Sequence, residues 1–143
     1  MILYTIGFTQ KSAEQFFAQL EAAGVKRVID VRLSNTGQLA GFTKRDDLRF
    51  FLRRIGGIDY VEYPQLAPTR ELRDRYRRDG DFEAYARGYL ALLRERGVEK
   101  ALDRTLFDSA CLLCGEHVAD RCHRRVAADH LAAQWGGVTV VHL

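Results

Sequence analysis

A chain of 143 residues, 47 % of them hydrophobic, suggests one domain over residues 1–143 with a core that needs no disulfide or structural metal. No apolar run reaches the roughly 18 residues of a membrane span, so no membrane partner is expected. The net charge of +3 is mildly basic and by itself indicates no polyanion.

The remaining composition sets the compartment. The N-terminal Met1-Ile2-Leu3-Tyr4-Thr5 lacks the basic start and small-residue cleavage site of a signal peptide. Three cysteines, an odd number, argue against a disulfide framework. A cytoplasmic protein with reduced thiols is the expectation. Of the 22 basic residues only Lys11, Lys26, Lys44 and Lys100 are lysines. Arginine suits bidentate recognition of phosphate and carboxylate, although biased base composition would give the same count.

Ile2 to Ile6 reads as a first strand ending at Gly7. Ser12 and Gln15 fit a capping box for a helix that turns Phe16, Phe17, Leu20 and Ala23 to one face. Val28 to Val31 is a second strand, so a right-handed βαβ unit is predicted. Residues 33–43 show no period and form a long polar loop. Leu48, Phe51, Leu52 and Ile55 mark the next helix, closed by Gly56-Gly57. Ile58 to Tyr63 is a third strand near an edge, since Pro64 stops it.

Thr69 caps a helix carrying Arg70, Arg73, Arg77 and Arg78, and Asp81 opens another with Phe82, Tyr85, Tyr89, Leu92 and Leu93. This pair would pack on a sheet face, the alternative being a lid. A short helix spans Val98 to Phe107, a central strand Ala110 to Cys114, a helix Arg121 to Trp135, and a last strand Val138 to His142. Strands alternating with helices predict a single three-layer α/β domain. Its sheet would be mostly parallel, with about five strands and helices on both faces.

The central strand and the helix after it hold most of the reactive side chains, among them Cys111, Cys114, Glu116, His117, Cys122 and His123. Open α/β sheets present ligand sites at the carboxyl ends of their strands. With Asp120 as N-cap, Cys122 and His123 would lie in a first helical turn, where backbone N–H groups favour anions.

Several of these residues resemble a known family. Thr5-Ile6-Gly7, Asp30-Val31-Arg32, Gly41-Phe42, Leu66-Ala67-Pro68-Thr69 with Glu71-Leu72, Leu112-Leu113-Cys114 with Glu116, and Cys122-His123-Arg124-Arg125 are similar to the domain of unknown function 488 family. Phe8 and Thr9 stand where that family usually has His and Ser. The resemblance implies a compact α/β fold and supplies no settled reaction.

Chemistry is therefore read from the residues. Glu116 is the candidate general acid/base, and Asp30 is either a second carboxylate for catalysis or part of a buried ion network. Cys122, beside Arg121, Arg124 and Arg125, is a candidate low-pKa thiol or a packed apolar residue. His123 is a candidate proton shuttle. Gly7, Arg32, Phe42, Cys114, Arg124 and Arg125 are the candidate ligand contacts, Gly7 by allowing close backbone approach. A zinc site on Cys111, Cys114, Cys122 and His123, three thiolates and an imidazole, is disfavoured, because Cys111 and Cys114, three apart on a strand, face opposite ways, and no metal is expected. No dinucleotide or P-loop fingerprint occurs, and no cofactor is expected.

The functional expectation is a small enzyme acting on a phosphate-bearing small molecule or nucleic acid. One alternative is a non-catalytic nucleic-acid- or nucleotide-binding module, with nucleic acid held on the Arg45–Arg54 and Arg70–Arg78 faces. The other is thiol chemistry at Cys122.

Overall fold

The computed structural model describes residues 1–116 and 119–143. His117 lies outside the described residues. Five strands, β1 (Ile2–Gly7), β2 (Arg27–Asp30), β3 (Asp59–Glu62), β4 (Ala110–Cys114) and β5 (Thr139–His142), form one sheet in the order β3-β2-β4-β1-β5. All four pairings are parallel. The helices are α1 (Ala13–Ala22), α2 (Arg45–Gly56), α3 (Arg70–Asp79), α4 (Phe82–Arg96), α5 (Val98–Ala101) and α6 (His123–Trp135).

The sequence explains this order. Ala110-Cys111-Leu112-Leu113-Cys114 is apolar throughout because β4 is paired on both sides and covered on both faces. Its residues alternate between two cores. Ala110, Leu112 and Cys114 join the core under α4 and α6, with Tyr89, Leu93, Ala127 and Leu131. Cys111 and Leu113 join the core under α1 and α2, with Phe16, Leu20, Leu48 and Leu52. Each fully buried leucine contributes about 1.5–3 kcal/mol. β3 is an edge strand, as Pro64 predicts, and β5 forms the opposite edge.

Caps fix the ends. Ser12 and Gln15 form the capping box of α1, Thr69 accepts from Leu72 N, and Asp81 accepts from Ala84 N.

Three expected elements differ. Residues 33–43 are not wholly irregular, since Gln38–Thr43 winds into 3₁₀ turns broken at Gly41, whose φ of 55° only glycine adopts readily. The helix expected over 98–107 splits, because the chain extends at Leu102 and Asp103 restarts it as a 3₁₀ turn. The last long helix begins at His123, with Cys122 and not Asp120 as N-cap, after a 3₁₀ turn at Ala119–Arg121. Asp120 instead pairs with Arg125. Among the described residues, no helix is long and apolar enough to cross a membrane.

Candidate functional site

A cleft of about 630 Å³ opens at the carboxyl ends of the strands. Phe8 enters it from the end of β1, Arg32 from β2, and Cys114, Gly115 and Glu116 from β4. Arg121, Cys122 and His123 come from the turn before α6, and Arg73, Tyr76 and Arg77 from α3. α4 packs into the core through Tyr85, Tyr89 and Leu93, whereas α3 buries no residue and forms a wall of the cleft.

At the cleft floor Cys114 and Cys122, eight residues apart, are joined by a disulfide. In this oxidised state the expectation of reduced thiols does not hold: an odd count is satisfied by one pair and a leftover, and the leftover is the buried Cys111. Cys122 is therefore not a free thiol in this state. Cys111 and Cys114 face opposite cores, as their spacing predicts. Burial pushes the Cys111 thiol well above its ordinary value, which leaves it un-ionised.

His123 is buried beside the pair. Its Nε2 lies 2.7 Å from the Val31 carbonyl oxygen, and its Nδ1 lies 3.7 Å from Cys114 Sγ and 3.9 Å from Cys122 Sγ. A carbonyl only accepts, so Nε2 carries the proton and the Nδ1 lone pair faces the sulfurs. Tyr89 meets the ring edge-on at 5.3 Å. Burial brings the His123 pKa down to about 4, so the imidazole is neutral at physiological pH.

Glu116 is exposed at the cleft, and its carboxylate has no ion-pair partner among the described residues. Neither Arg124 nor Arg32 forms an ion pair with it. Arg124 reaches its backbone carbonyl instead, and Arg32 is held by Asp30.

Asp30 lies under the sheet end and outside the cleft lining. Its carboxylate accepts from Tyr60 Oη at 2.5 Å, Arg32 Nη2 at 2.8 Å, Arg32 Nε at 2.9 Å and Asn35 Nδ2 at 3.2 Å. Burial alone would raise its pKa, but the Arg32 and Tyr60 bonds outweigh that and hold it below the usual value. This is the buried-network arrangement of the two expected for Asp30. Tyr60 is raised in turn, by burial and then by Asp30.

Four candidate contacts sit elsewhere. Phe42 packs against Phe16 and Phe17, at 5.5 and 5.9 Å, on the far face of the sheet. Arg124 is fully buried and donates to the Glu116 carbonyl and, at 3.3 Å, to Thr5 Oγ1. Arg125 points to solvent with Asp120 and Asp129. Gly7 does allow a close approach, but to protein: a Cβ there would stand 1.5 Å from the Glu116 carbonyl oxygen. None of the four lines the cleft. The motif runs Cys-His-Arg-Arg, but consecutive positions of a helix face different ways.

Sequence reading missed Arg73 and Arg77 as cleft residues, because nothing local tells a solvated arginine from one that faces a distant strand end. Arg73 pairs with Asp74, whereas Arg77 and Arg121 have no carboxylate partner among the described residues. Tyr76 and Tyr85 stack at 5.0 Å beside them.

No curated protein and no solved structure matches the chain. Residues 12–131 match the family described as domain of unknown function DUF488, a span that holds α1 through most of α6 and every residue of the cleft except Phe8. That match covers most of the chain, which therefore belongs to the DUF488 family.

Proposed function

We propose that the cleft binds a phosphate-bearing ligand, a nucleotide or a nucleic-acid segment, and that Glu116 acts on it as general acid/base. The observation that carries this reading is the division of charge across one cleft. Arg73, Arg77 and Arg121 line it together with Glu116, while Phe8, Tyr76 and Tyr85 add aromatic lining. Guanidinium groups suit phosphate oxygens, and aromatic rings suit a base. In this reading Glu116 takes a proton from an attacking water or hydroxyl. A reducing, cytoplasmic setting would keep Cys114 and Cys122 as thiols beneath this ligand.

Titration calorimetry with nucleoside triphosphates and short oligonucleotides tests the reading. Arg77→Ala and Arg121→Ala should each weaken binding about 10-fold or more, the loss of one charge-assisted bond of about 1.5–3 kcal/mol. Arg125→Ala should bind as the native chain does. Glu116→Gln should bind but not turn over, and native protein that binds without turnover would leave a binding module. Affinity indifferent to both arginines would defeat the reading.

A further inference from the structure

We propose that Cys114 and Cys122, once reduced, join His123 Nδ1 to bind one thiophilic divalent cation, zinc, at the cleft floor with one coordination position left open. The site is independent of the ligand reading above.

The donor atoms already converge. The two sulfurs and Nδ1 lie within 4.8 Å of one another, and all three residues are buried. In a tetrahedral site with Zn–S near 2.3 Å and Zn–N near 2.0–2.1 Å, sulfur and nitrogen ligands stand about 3.6 Å apart. The observed separations of 3.7 and 3.9 Å match that spacing. The remaining sulfur–sulfur distance is set by the covalent bond and is released when the bond is reduced.

The surroundings fit as well. Metal-ligating histidines donate their other ring N–H to a carbonyl or carboxylate, which fixes the tautomer and orients the ring. Val31 O does this for His123 at 2.7 Å. Cys122 is the N-cap of the 13-residue α6, where the helix dipole favours a thiolate. Two thiolates and an imidazole suit zinc better than magnesium or calcium, which take oxygen ligands. Cys111, turned to the other core, takes no part. The open position gives the donor count of a catalytic zinc site rather than a closed structural one. All three ligands line the cleft that Glu116 also lines, which provides the entry path.

The chemistry balances. The Cys114–Cys122 bond takes up two electrons and two protons from a thiol reductant, which is itself oxidised to a disulfide. The two thiols then release two protons as both thiolates bind the cation. Bound metal therefore blocks re-formation of the disulfide.

The test uses the full chain, reduced with a phosphine that does not chelate, and titrated with cobalt(II) as a spectroscopic probe before displacement by zinc. The expected result is one ion per chain, with thiolate-to-cobalt charge transfer and the visible bands of a tetrahedral ion. Cys114→Ser, Cys122→Ser and His123→Ala should each lower affinity by more than the roughly 100-fold that loss of an outer partner can cost. Cys111→Ser should bind as the native chain does. Because a ligand variant can fail to fold, native protein is also alkylated with and without zinc and read by mass spectrometry. Zinc should protect Cys114 and Cys122 together. Absence of stoichiometric binding by the reduced chain, equal binding by the disulfide form, or labelling of the pair unaffected by zinc would each overturn the proposal. Nucleotide binding plays no part in these readouts, so either reading can fail alone.

Discussion

His123 Nε2 stands 2.7 Å from the carbonyl oxygen of Val31, and that contact decides which ring nitrogen faces the two sulfurs. Val31 follows β2 and His123 opens α6, 92 positions later in the chain. The end of one strand thus sets the chemistry of a helix start. The arrangement works only with a neutral ring, and burial keeps it neutral.

In the metal-free, disulfide-bonded protein, His123 should therefore show the Nε2–H tautomer by nitrogen NMR and should not titrate between pH 5 and 9. The folded ring gains a proton only near pH 4, whereas the unfolded ring gains it near about 6.5. The unfolded state binds more protons in that window, so this contribution to stability is lost as pH falls from about 6.5 toward 4. A ring that titrates near 6.5 in the folded protein would contradict the burial.

The cysteines should separate cleanly by state. Oxidised folded protein should expose no reactive thiol to a small disulfide reagent, because Cys111 is buried. Unfolding without reductant should release one, Cys111, and unfolding with reductant all three. Two or more thiols in the unreduced, unfolded chain would show that Cys114 and Cys122 are not joined.

Gly7→Ala should be severely destabilising, at or beyond the upper end of the about 1–3 kcal/mol typical of overpacking. The added carbon would meet backbone, the Glu116 carbonyl, which cannot swing aside as a side chain can. Gly88→Ala is the control. Its Cβ would meet only the flexible Leu72 Cδ2 at 2.7 Å, and α4 gains helix propensity in return. Thermal melts of the two variants should differ widely; equal melts would mean that β1 and the Glu116 backbone are not in contact.

Phe42→Ala should lower stability, by less than the about 3–5 kcal/mol of a fully buried phenylalanine, and should leave ligand affinity unchanged. Its ring is half-buried and packs on Phe16 and Phe17, across the sheet from the cleft. A loss of affinity without a loss of stability would return Phe42 to the site.

The residues that sequence reading placed well are those whose position follows from local period. The β4 run, the capping box of Ser12 and Gln15, and the opposed faces of Cys111 and Cys114 all rest on spacings of a few residues. What it misplaced depends on distant partners. The Cys114–Cys122 bond required the turn at Ala119–Arg121 to fold back, and no local pattern announces that turn. Arg124 reads as a ligand contact from its place beside Cys122 and His123; its burial is settled by the Glu116 carbonyl, after β4, and by Thr5 on β1.

Asp30 supplies a second acid-sensitive step, distinct from that of His123. Its carboxylate joins Arg32, Tyr60 and Asn35 at the end of β2, where burial would raise its pKa and the bonds to Arg32 lower it further. The folded value therefore lies below the unfolded one of about 3.9. A carboxylate depressed on folding contributes stability that is full above the unfolded value and lost as pH falls through the folded one. Urea midpoints measured from pH 6 down to pH 2 should thus fall in two stages, His123 between about 6.5 and 4 and Asp30 below that. Asp30→Asn should shrink the lower stage, to which the also depressed Glu99 and Asp103 still contribute, and leave the upper one. Asp30→Ala should cost about 3–5 kcal/mol near neutrality, because it strands the Arg32 guanidinium in a buried site. Tyr60→Phe should cost about 1.5–3 kcal/mol by deleting one bond to a charged group. If Asp30→Asn keeps the native acid profile below pH 4, the carboxylate is not depressed, and the Arg32 pair does not hold the loop after β2.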